Sequence, residues 1–177
     1  QVLSHRIAVS PRGAVPGQVI EVSSADFGIL NGRVSDSGQP SEISGNQDSY
    51  VRLNGIKLTK PDVNYPIEIG RQGAFSFELP LPVDGSTLNG GRIEIQITDS
   101  LGRTGTGHVS LEEPEITIYP ADSDRGTTVA ISGDGFPAND PKLELKYMIE
   151  VDYSGIRVTT APTNDMGSFQ AEFLVPS

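Results

Sequence analysis

The residues of this chain with the clearest capacity for chemistry are acidic side chains around turns in its second half. Asp122, Asp124 and Asp134 carry carboxylate oxygens, the ligands that calcium prefers in proteins. Asn139 and Asp140 follow and add further oxygen atoms. The sequence therefore predicts a candidate calcium site and no other cofactor. The alternative interpretation is a set of ordinary solvated turns, in which Asp, Asn and Gly are common.

Other chemical motifs fail on their context. Gly133 to Ala138 fits the loose dinucleotide pattern G-x-G-x-x-A, but Pro137 and Pro141 continue the segment as a turn where a phosphate cradle needs the start of a helix. The chain has no cysteine and two histidines, His5 and His108, and neither lies in a hydrolase or metalloprotease motif. We therefore predict no catalytic residues and a protein that is not an enzyme.

A long polar stretch, residues 28–49, is the most distinctive candidate for a ligand-binding loop. Stretches of this length inside compact domains are functional or mobile, and loops at the ends of sandwiches are common binding sites. We predict ligand contacts from its polar side chains, and the alternative is a tolerated insertion. The candidate residues are Asp36, Gln39, Asn46 and Asp48.

Composition and charge limit the class of protein. The 177 residues include 20 Gly and 13 Pro, scattered between short runs of β-branched and aromatic residues, which is typical of many short strands joined by tight turns. The formal net charge of −10 disfavours nucleic acid and anionic membranes as partners, because phosphate binding relies on Lys and Arg. We expect the acidic surplus to be spread along the chain. No apolar run approaches the ~20 residues that span a bilayer, so we predict no membrane insertion in this segment.

The sequence contains an internal repeat. Residues 7–11 align with residues 116–120 at an offset of 109, and the match continues without a gap. At the same offset, Gly17, Ile20, Val22 and Phe27 fall on Gly126, Val129, Ile131 and Phe136. A second match, at an offset of 94, aligns residues 73–82 with residues 167–176 and closes each copy. The first copy has therefore gained 15 residues between the two matches.

Alternation of apolar and polar residues with a period of two predicts the strands. The clearest stripes lie in residues 143–151, 93–97 and 75–81. Asn54-Gly55 predicts a type I′ hairpin, because both central positions of that turn need positive φ. Asp99 to Gly102 is expected to link the last two strands of the first copy. Its strands are predicted near residues 6–10, 18–23, 50–53, 56–59, 66–69, 74–81, 92–98 and 105–111.

We predict two tandem immunoglobulin-like β-sandwiches. The first spans residues 1–113, with the inserted loop 28–49, and the second spans residues 114–177, since Glu112-Glu113-Pro114 interrupts strand pairing. The second copy is shorter, because nothing in it corresponds to the hairpin of residues 91–111. Either this copy is truncated or needs fewer strands, or its open sheet edge pairs with a strand of another chain, which would allow self-association.

The segments 128–139, 167–169 and 97–105 resemble immunoglobulin-like repeats of bacterial and archaeal cell-surface proteins, including the IPT/TIG-like modules. The resemblance covers both copies through turn and core residues. It departs from the pattern at Ser24 to Phe27, where the first copy lacks the glycine-flanked Phe. It implies an extracellular sandwich that acts as a spacer, stalk or adhesive unit, and it carries over no catalytic residues.

These observations together predict a non-enzymatic structural or adhesive module of an extracellular or cell-surface protein, such as a surface layer or filament. The expected partners are other protein chains or surface polymers. The alternative is an accessory carbohydrate-binding domain of a secreted enzyme. Its five tyrosines would then stack on sugars, although the chain has no tryptophan.

Overall fold

The computed structural model of this protein describes residues 5–30, 33–34, 40–85, 87–140 and 146–176. Every regular element within these ranges is a β-strand, and the strands form several sheets, as in a β-sandwich. The predicted all-β class is therefore confirmed.

The strands of the first part of the chain agree with the predicted ones to within one or two residues at most ends, and short strands are added. They are β1 (His5–Arg6), β2 (Ala8–Ser10), β3 (Gly13–Ala14), β4 (Val19–Ser24), β5 (Ile29–Leu30), β6 (Arg33–Val34), β7 (Ser41–Ile43), β8 (Tyr50–Leu53), β9 (Ile56–Lys57), β10 (Ile67–Ile69), β11 (Phe75–Pro80), β12 (Gly91–Thr98) and β13 (Thr104–Leu111). The strands β5, β6 and β7 lie in the stretch that was predicted as an inserted loop.

The later strands are β14 (Glu115–Tyr119), β15 (Thr128–Asp134), β16 (Met148–Tyr153), β17 (Ile156–Pro162) and β18 (Phe169–Leu174). Residues 141–145, which carry part of the predicted stripe 143–151, lie outside the described residues. Lys146 and Tyr147 precede β16 and are not part of a strand. The strand therefore begins later than the alternation predicts.

The chain forms two compact units. The first comprises Gln1–Gly13, Val19–Pro80 and Arg92–Ser110, and the second comprises Ala14–Gln18, Leu81–Gly91 and Leu111–Ser177. Two short segments of the first repeat copy thus group with the second unit. The division into immunoglobulin-like modules at residues 113 and 114 stays a prediction.

Acidic residues occur in both units, but the net charge differs between them. The residues of the first unit include ten Asp and Glu against nine Lys and Arg. The residues of the second unit include thirteen Asp and Glu against four Lys and Arg. The first unit is therefore close to electrically neutral, and nearly all of the net negative charge belongs to the second unit.

Two sheets build most of the first unit, with the strand orders β1-β13-β12-β8-β9 and β11-β4-β2. The stripe Ile93, Ile95 and Ile97 of β12 is fully buried, as its alternation predicts. Gly107 of β13 lies against Val9 of β2, and Gly105 and Gly107 both lie against Ile7, which precedes β2; a Cβ atom at either glycine would come within 3.0 Å of the Ile7 side chain. Glycine at these two positions therefore lets the two sheets approach closely.

The second unit contains a three-stranded sheet of order β14-β15-β18 and the hairpin β16-β17. Its core is built on Ile131 of β15, Ala161 of β17 and Phe169 of β18. Ile149 and Val151 of β16 pack against this cluster from the hairpin.

The two halves share backbone geometry at the aligned positions. Val9 pairs with Val22 in the first unit, and Ile118 pairs with Ile131 in the second, which is the same register at an offset of 109. The rings of Phe27 and Phe75 meet edge to face at 5.5 Å, and those of the aligned Phe136 and Phe169 do so at 5.3 Å. In both units the backbone N of that first Phe donates, at 3.1 Å, to the carbonyl of the glycine that precedes the strand of the second Phe, which is Gly73 before β11 and Gly167 before β18. The internal repeat therefore extends to structure.

Each unit has a two-residue hairpin turn of the same type. Asn54 and Gly55 have φ of 48° and 81°, which confirms the predicted type I′ turn between β8 and β9. Ser154 and Gly155 have φ of 49° and 81° and join β16 to β17. Neither glycine has an atom near the position of a Cβ, so these turns are set by backbone conformation alone.

A buried tyrosine ties three segments of the first unit together. The Tyr65 side chain is 7% exposed, and its hydroxyl accepts from the Val51 N (3.0 Å) and donates to the Leu58 carbonyl (3.3 Å). Burial raises the pKa of Tyr65 above its ordinary value of 10.0; the hydrogen bond from Val51 opposes this rise, and the charge of Asp62 adds to it. The neutral hydroxyl is therefore the form that the fold favours.

The aligned glycines Gly73 and Gly167 should not tolerate a side chain. Their φ values are 80° and 72°, and an added Cβ would overlap the carbonyl oxygen of Phe27 or Phe136. We expect Gly73→Ala and Gly167→Ala each to lower the free energy of unfolding by at least about 2 kcal/mol. Urea denaturation followed by circular dichroism measures this.

The control for these variants is Gly85→Ala. No atom lies within 4 Å of a Cβ at that position, and its φ is outside the left-handed range. It should change stability by no more than about 0.5 kcal/mol. Unfolding midpoints that are equal for all three variants would contradict the assigned role of the two glycines.

Alkaline pH should destabilise the protein partly through Tyr65. Because the pKa of Tyr65 is raised in the folded state, the unfolded chain loses this proton first, and stability falls as pH rises above about 10. Tyr65→Phe should cost about 1 to 2 kcal/mol at pH 7, because the Val51 N loses its partner, and should show a shallower alkaline decline. Urea titrations between pH 7 and pH 11 test both effects. Tyr119→Phe, at a side chain 77% exposed, is the control and should match the unsubstituted protein.

Candidate functional site

An arginine-lined groove of about 930 Å³ lies in the first unit. It runs along β1 and β2, the end of β4, and the outer side of β12 and β13. Three arginines and a histidine face it among small and polar residues. The lining residues are Arg6, Ile7, Ala8, Val9, Arg12, Ser24, Ala25, Asp26, Arg92, Thr106, Gly107, His108 and Ser110.

Local structure explains why these cations point outwards. Arg92 alternates with the buried Ile93 on β12, so its side chain lies on the solvent side. His108 alternates with the buried Val109 on β13 in the same way. Arg6 pairs with Thr106 across the parallel contact of β1 and β13.

Arg12 is held by its backbone. It lies in the turn after β2, and its carbonyl accepts from the Ser110 N at 2.8 Å. The neighbouring strand therefore anchors the turn, which leaves the Arg12 guanidinium exposed.

The groove carries more positive than negative charge, because three arginines and one aspartate, Asp26, are among its lining residues. Arg6, Arg12 and Arg92 are exposed and form no ion pair with another side chain in the part of the chain that the structure describes. His108 Nε2 lies 3.6 Å from Glu94 Oε2. Guanidinium groups bind carboxylate, sulfate and phosphate through paired N–H donors, so this arrangement suits an anionic ligand.

The predicted ligand loop is placed only in part. Asp36 and Gln39 lie outside the described residues. Asp48 is exposed, and Asn46 uses its side chain within its own turn, because Asn46 Oδ1 accepts from the backbone N of Asp48 (3.0 Å) and of Ser49 (2.8 Å). The Lys57 Nζ donates to the Asn46 carbonyl at 2.6 Å. Asn46 therefore shapes the turn, and ligand binding by this loop stays a prediction.

The predicted calcium residues are on the surface of the second unit. Asp122, Asp124 and Asp134 are all exposed. Among the residues placed by the structure, no three His, Asp or Glu side chains lie together in a group that could hold a metal ion. The calcium site stays a prediction.

Two of the tyrosines expected to stack on sugars are engaged within the protein. Tyr65 is in the core, as described above. The Tyr50 ring has the Arg52 guanidinium 4.5 Å from its centroid and the Lys57 Nζ at 5.7 Å.

Sequence reasoning missed a buried charge in the first unit. The Asp99 carboxylate is fully buried and accepts from the backbone N of Leu101 and Arg103, from Arg103 Nε (2.7 Å) and from Ser41 Oγ (2.9 Å). The Arg103 guanidinium also lies 5.8 Å from the centre of the Phe27 ring. The turn at Asp99 was predicted, but the partner Ser41 is 58 residues away and leaves no local signal.

A buried amide plays the corresponding part in the second unit. Asn139 Nδ2 donates to the carbonyls of Tyr147 (2.8 Å) and Thr163 (2.9 Å), while Asn139 Oδ1 accepts from the backbone N of Lys146 and Tyr147. Asn139 therefore connects Lys146 and Tyr147, which precede β16, with Thr163, which follows β17. Asn139 had been considered as an oxygen ligand for calcium, and its oxygen is used by these two backbone donors.

A scan against protein-family models finds no match to the chain, and a search of curated proteins finds none either. In the portion of the chain covered by the structure there is no helix long and apolar enough to cross a membrane.

Asn46→Ala tests whether this loop residue has a structural role. The substitution removes the acceptor of two backbone N–H groups, one of them from the buried Ser49, so we expect a loss of about 1 kcal/mol in the free energy of unfolding. Asp48→Ala, an exposed neighbour, should stay within about 0.5 kcal/mol of the unsubstituted protein. Urea denaturation gives both values, and equal costs for the two variants would refute the assignment.

Proposed function

We propose that this chain is a non-enzymatic structural and adhesive module of an extracellular or cell-surface protein, and that the arginine-lined groove of its first unit binds an anionic surface polysaccharide. The single observation that carries the binding role is a set of three exposed arginines along one groove of an otherwise acidic protein, none of which forms an ion pair with another described side chain. Long polyanions engage such a groove through several guanidinium groups at once.

The structural part of the proposal is supported by how the buried polar side chains are used. Asp99, Asn139 and Tyr65 each bind backbone groups of turns or strand ends. Side chains that form these hydrogen bonds hold the loops in fixed positions, and a spacer or stalk needs loops that keep their shape. The chain has no cysteine, so these hydrogen bonds, and not disulfides, fix its segments relative to one another; in small extracellular domains disulfides often have that role.

The repeat supports the proposed architecture. Aligned strands share register and aligned Phe pairs share geometry, as expected for two copies of one module. We propose that both units are immunoglobulin-like modules of the kind that the sequence resembles. In such modules adhesion is carried by exposed surfaces and loops, which fits a binding groove on the outer side of a sheet.

Binding to anionic polysaccharides tests the adhesive role. The probes are polygalacturonate, which carries carboxylates, and heparin, which carries sulfates, with dextran as a neutral control. Isothermal titration calorimetry at about 50 mM salt should detect binding to an anionic probe and not to dextran, and affinity should fall as salt rises, because exposed charges are screened.

The double variant Arg12→Gln/Arg92→Gln should weaken this binding at least tenfold. The matched control is Lys60→Gln/Arg71→Gln, which removes the same charge from exposed positions of the first unit that do not line the groove. It should change affinity less than twofold. Equal losses in both double variants would show that only net charge matters, and no binding to either anionic probe at low salt would refute the proposal.

A further inference from the structure

The outer face of the three-stranded sheet in the second unit carries a depression of about 570 Å³. Tyr119 of β14, Ala130 of β15 and Glu172 of β18 are neighbours in register across the three strands, and cross-strand neighbours face the same side of a sheet. This side is turned away from the core, because the residues before and after Ala130 are buried. Ile116 and Ile118 lie on the opposite side of β14, where they are 57% and 45% exposed. The depression therefore opens on the solvent side of the sheet.

The small side chain of Ala130 creates this depression. Neighbouring strands lie about 4.8 Å apart, so the Cα atoms of Tyr119 and Glu172, two strands apart, are about 10 Å from each other. Only the methyl group of Ala130 stands between them. The Tyr119 side chain is 77% exposed, and Glu172 is exposed as well. The space is therefore bounded by an aromatic ring on one side and by a carboxylate on the other.

A second depression, of about 530 Å³, continues this surface along the strands. Ser132 and Gln170 line both depressions, and Asp134 lines the second. Asp134 is four residues beyond Ala130 on β15, which is about 13 Å along a strand. The two depressions together form one elongated groove, called the acidic groove. It is defined by Tyr119, Ala130, Ser132, Asp134, Gln170 and Glu172.

The aligned surface of the first unit is built differently. Its middle position is Glu21, which aligns with Ala130 and whose Oε1 accepts from Ser76 Oγ at 3.0 Å. Ser10 aligns with Tyr119 and pairs with Glu21, as Tyr119 pairs with Ala130. The two copies therefore share the strand register at this surface, but only the second has the gap and the aromatic ring beside it.

The polar side chains of the acidic groove are available to a ligand. Within the described residues, the side chains of Asp134, Gln170 and Glu172 form no hydrogen bond and no ion pair. The residues that line the two depressions include no Lys or Arg. The second unit as a whole has thirteen Asp and Glu against four Lys and Arg. The groove therefore attracts cations and repels anions.

We propose that the acidic groove binds an oligosaccharide whose sugars carry free amino groups. One sugar ring lies on the methyl group of Ala130 and packs against the Tyr119 ring, which offers an apolar face and a polar hydroxyl. The ammonium group of this sugar pairs with Glu172, and that of a later sugar pairs with Asp134. Gln170, between the two carboxylates, bonds to sugar hydroxyls. The ligand is opposite in charge to that of the arginine-lined groove, so the acidic groove is a second and separate site.

Binding of the linear glucosamine trimer tests this proposal. Calorimetry is done at about pH 6, where the amino groups of the trimer are protonated and carboxylates are ionised. The N-acetylated trimer has the same rings without the charge and should bind at least fivefold more weakly. Trilysine has the charge without the rings and should also bind at least fivefold more weakly. In NMR spectra, the glucosamine trimer should shift the amide signals of β15 and β18 and the ring signals of Tyr119.

Removal of the two carboxylates provides the first matched test. Glu172→Gln/Asp134→Asn should weaken binding of the glucosamine trimer at least tenfold. The control is Asp122→Asn/Asp124→Asn, which removes the same charge from exposed positions of the second unit that do not line the groove. It should change the affinity less than twofold.

Filling the gap provides the second matched test. Ala130→Gln should weaken binding at least tenfold, because it occupies the space of the sugar ring without changing the charge. Ala121→Gln, at an exposed position of the second unit outside the groove, is the control and should bind the trimer normally. Both variants should keep the urea midpoint of the unsubstituted protein. Arg12→Gln/Arg92→Gln should bind the trimer as before, which separates this site from the polysaccharide groove.

Four results would overturn the proposal. One is no binding of the glucosamine trimer up to about 10 mM at low salt. Another is equal binding of the N-acetylated trimer or of trilysine, because charge or rings alone would then account for binding. The third is an equal loss in the two double variants that remove carboxylates. The last is unchanged binding by Ala130→Gln, which would place the ligand elsewhere.

Discussion

The close approach of β13 to Ile7, Val9 and Phe27 is the contact on which the order of the first unit depends. An apolar sheet face is stabilised only when another layer covers it at van der Waals distance. Gly105 and Gly107 provide that distance, because they bring the β13 backbone onto Ile7 and Phe27 without intervening side chains. The groove on the outer side depends on the same contact, since Arg6 and His108 are placed by β1 and β13.

Buried polar groups fix the connections between the strands. Asp99 at the β12-β13 turn and Asn139 before β16 each satisfy several backbone donors that would otherwise be buried without partners. They belong to different units and have different chemistry, yet each joins the ends of strands that are far apart in the sequence. Polar residues of this kind specify where turns sit, while the apolar stripes supply most of the burial.

Local patterns were sufficient to predict most strands of the first unit. Ile93, Ile95 and Ile97 alternate cleanly, and the Asn54-Gly55 turn has a strong conformational preference, so both were predicted correctly. The start of β16 was not, because Asn139 binds the backbone N of Lys146 and Tyr147 and so competes with strand pairing there. Alternation alone contains no information about such a side chain.

The candidate site could not be predicted from the sequence. Arg6, Arg12 and Arg92 are separated by up to 86 residues and become neighbours only through sheet pairing. The net charge of the whole chain also pointed away from an anionic ligand, since it averages a nearly neutral unit with a strongly acidic one. Counting charges separately for each unit shows that the first unit is nearly neutral and the second strongly acidic, a difference that the net charge of the whole chain does not show.

The charge of the second unit has a consequence for colloidal stability. Near neutral pH its carboxylates repel neighbouring molecules, which keeps the exposed Ile116 and Ile118 of different chains apart. The isoelectric point of the chain is about 4.5, so at that pH the net charge of the whole molecule, and with it the net repulsion between molecules, vanishes. Mild acid therefore removes the charge repulsion between molecules while the apolar side chains of Ile116 and Ile118 stay exposed. Acidification should then cause precipitation that begins at the second unit.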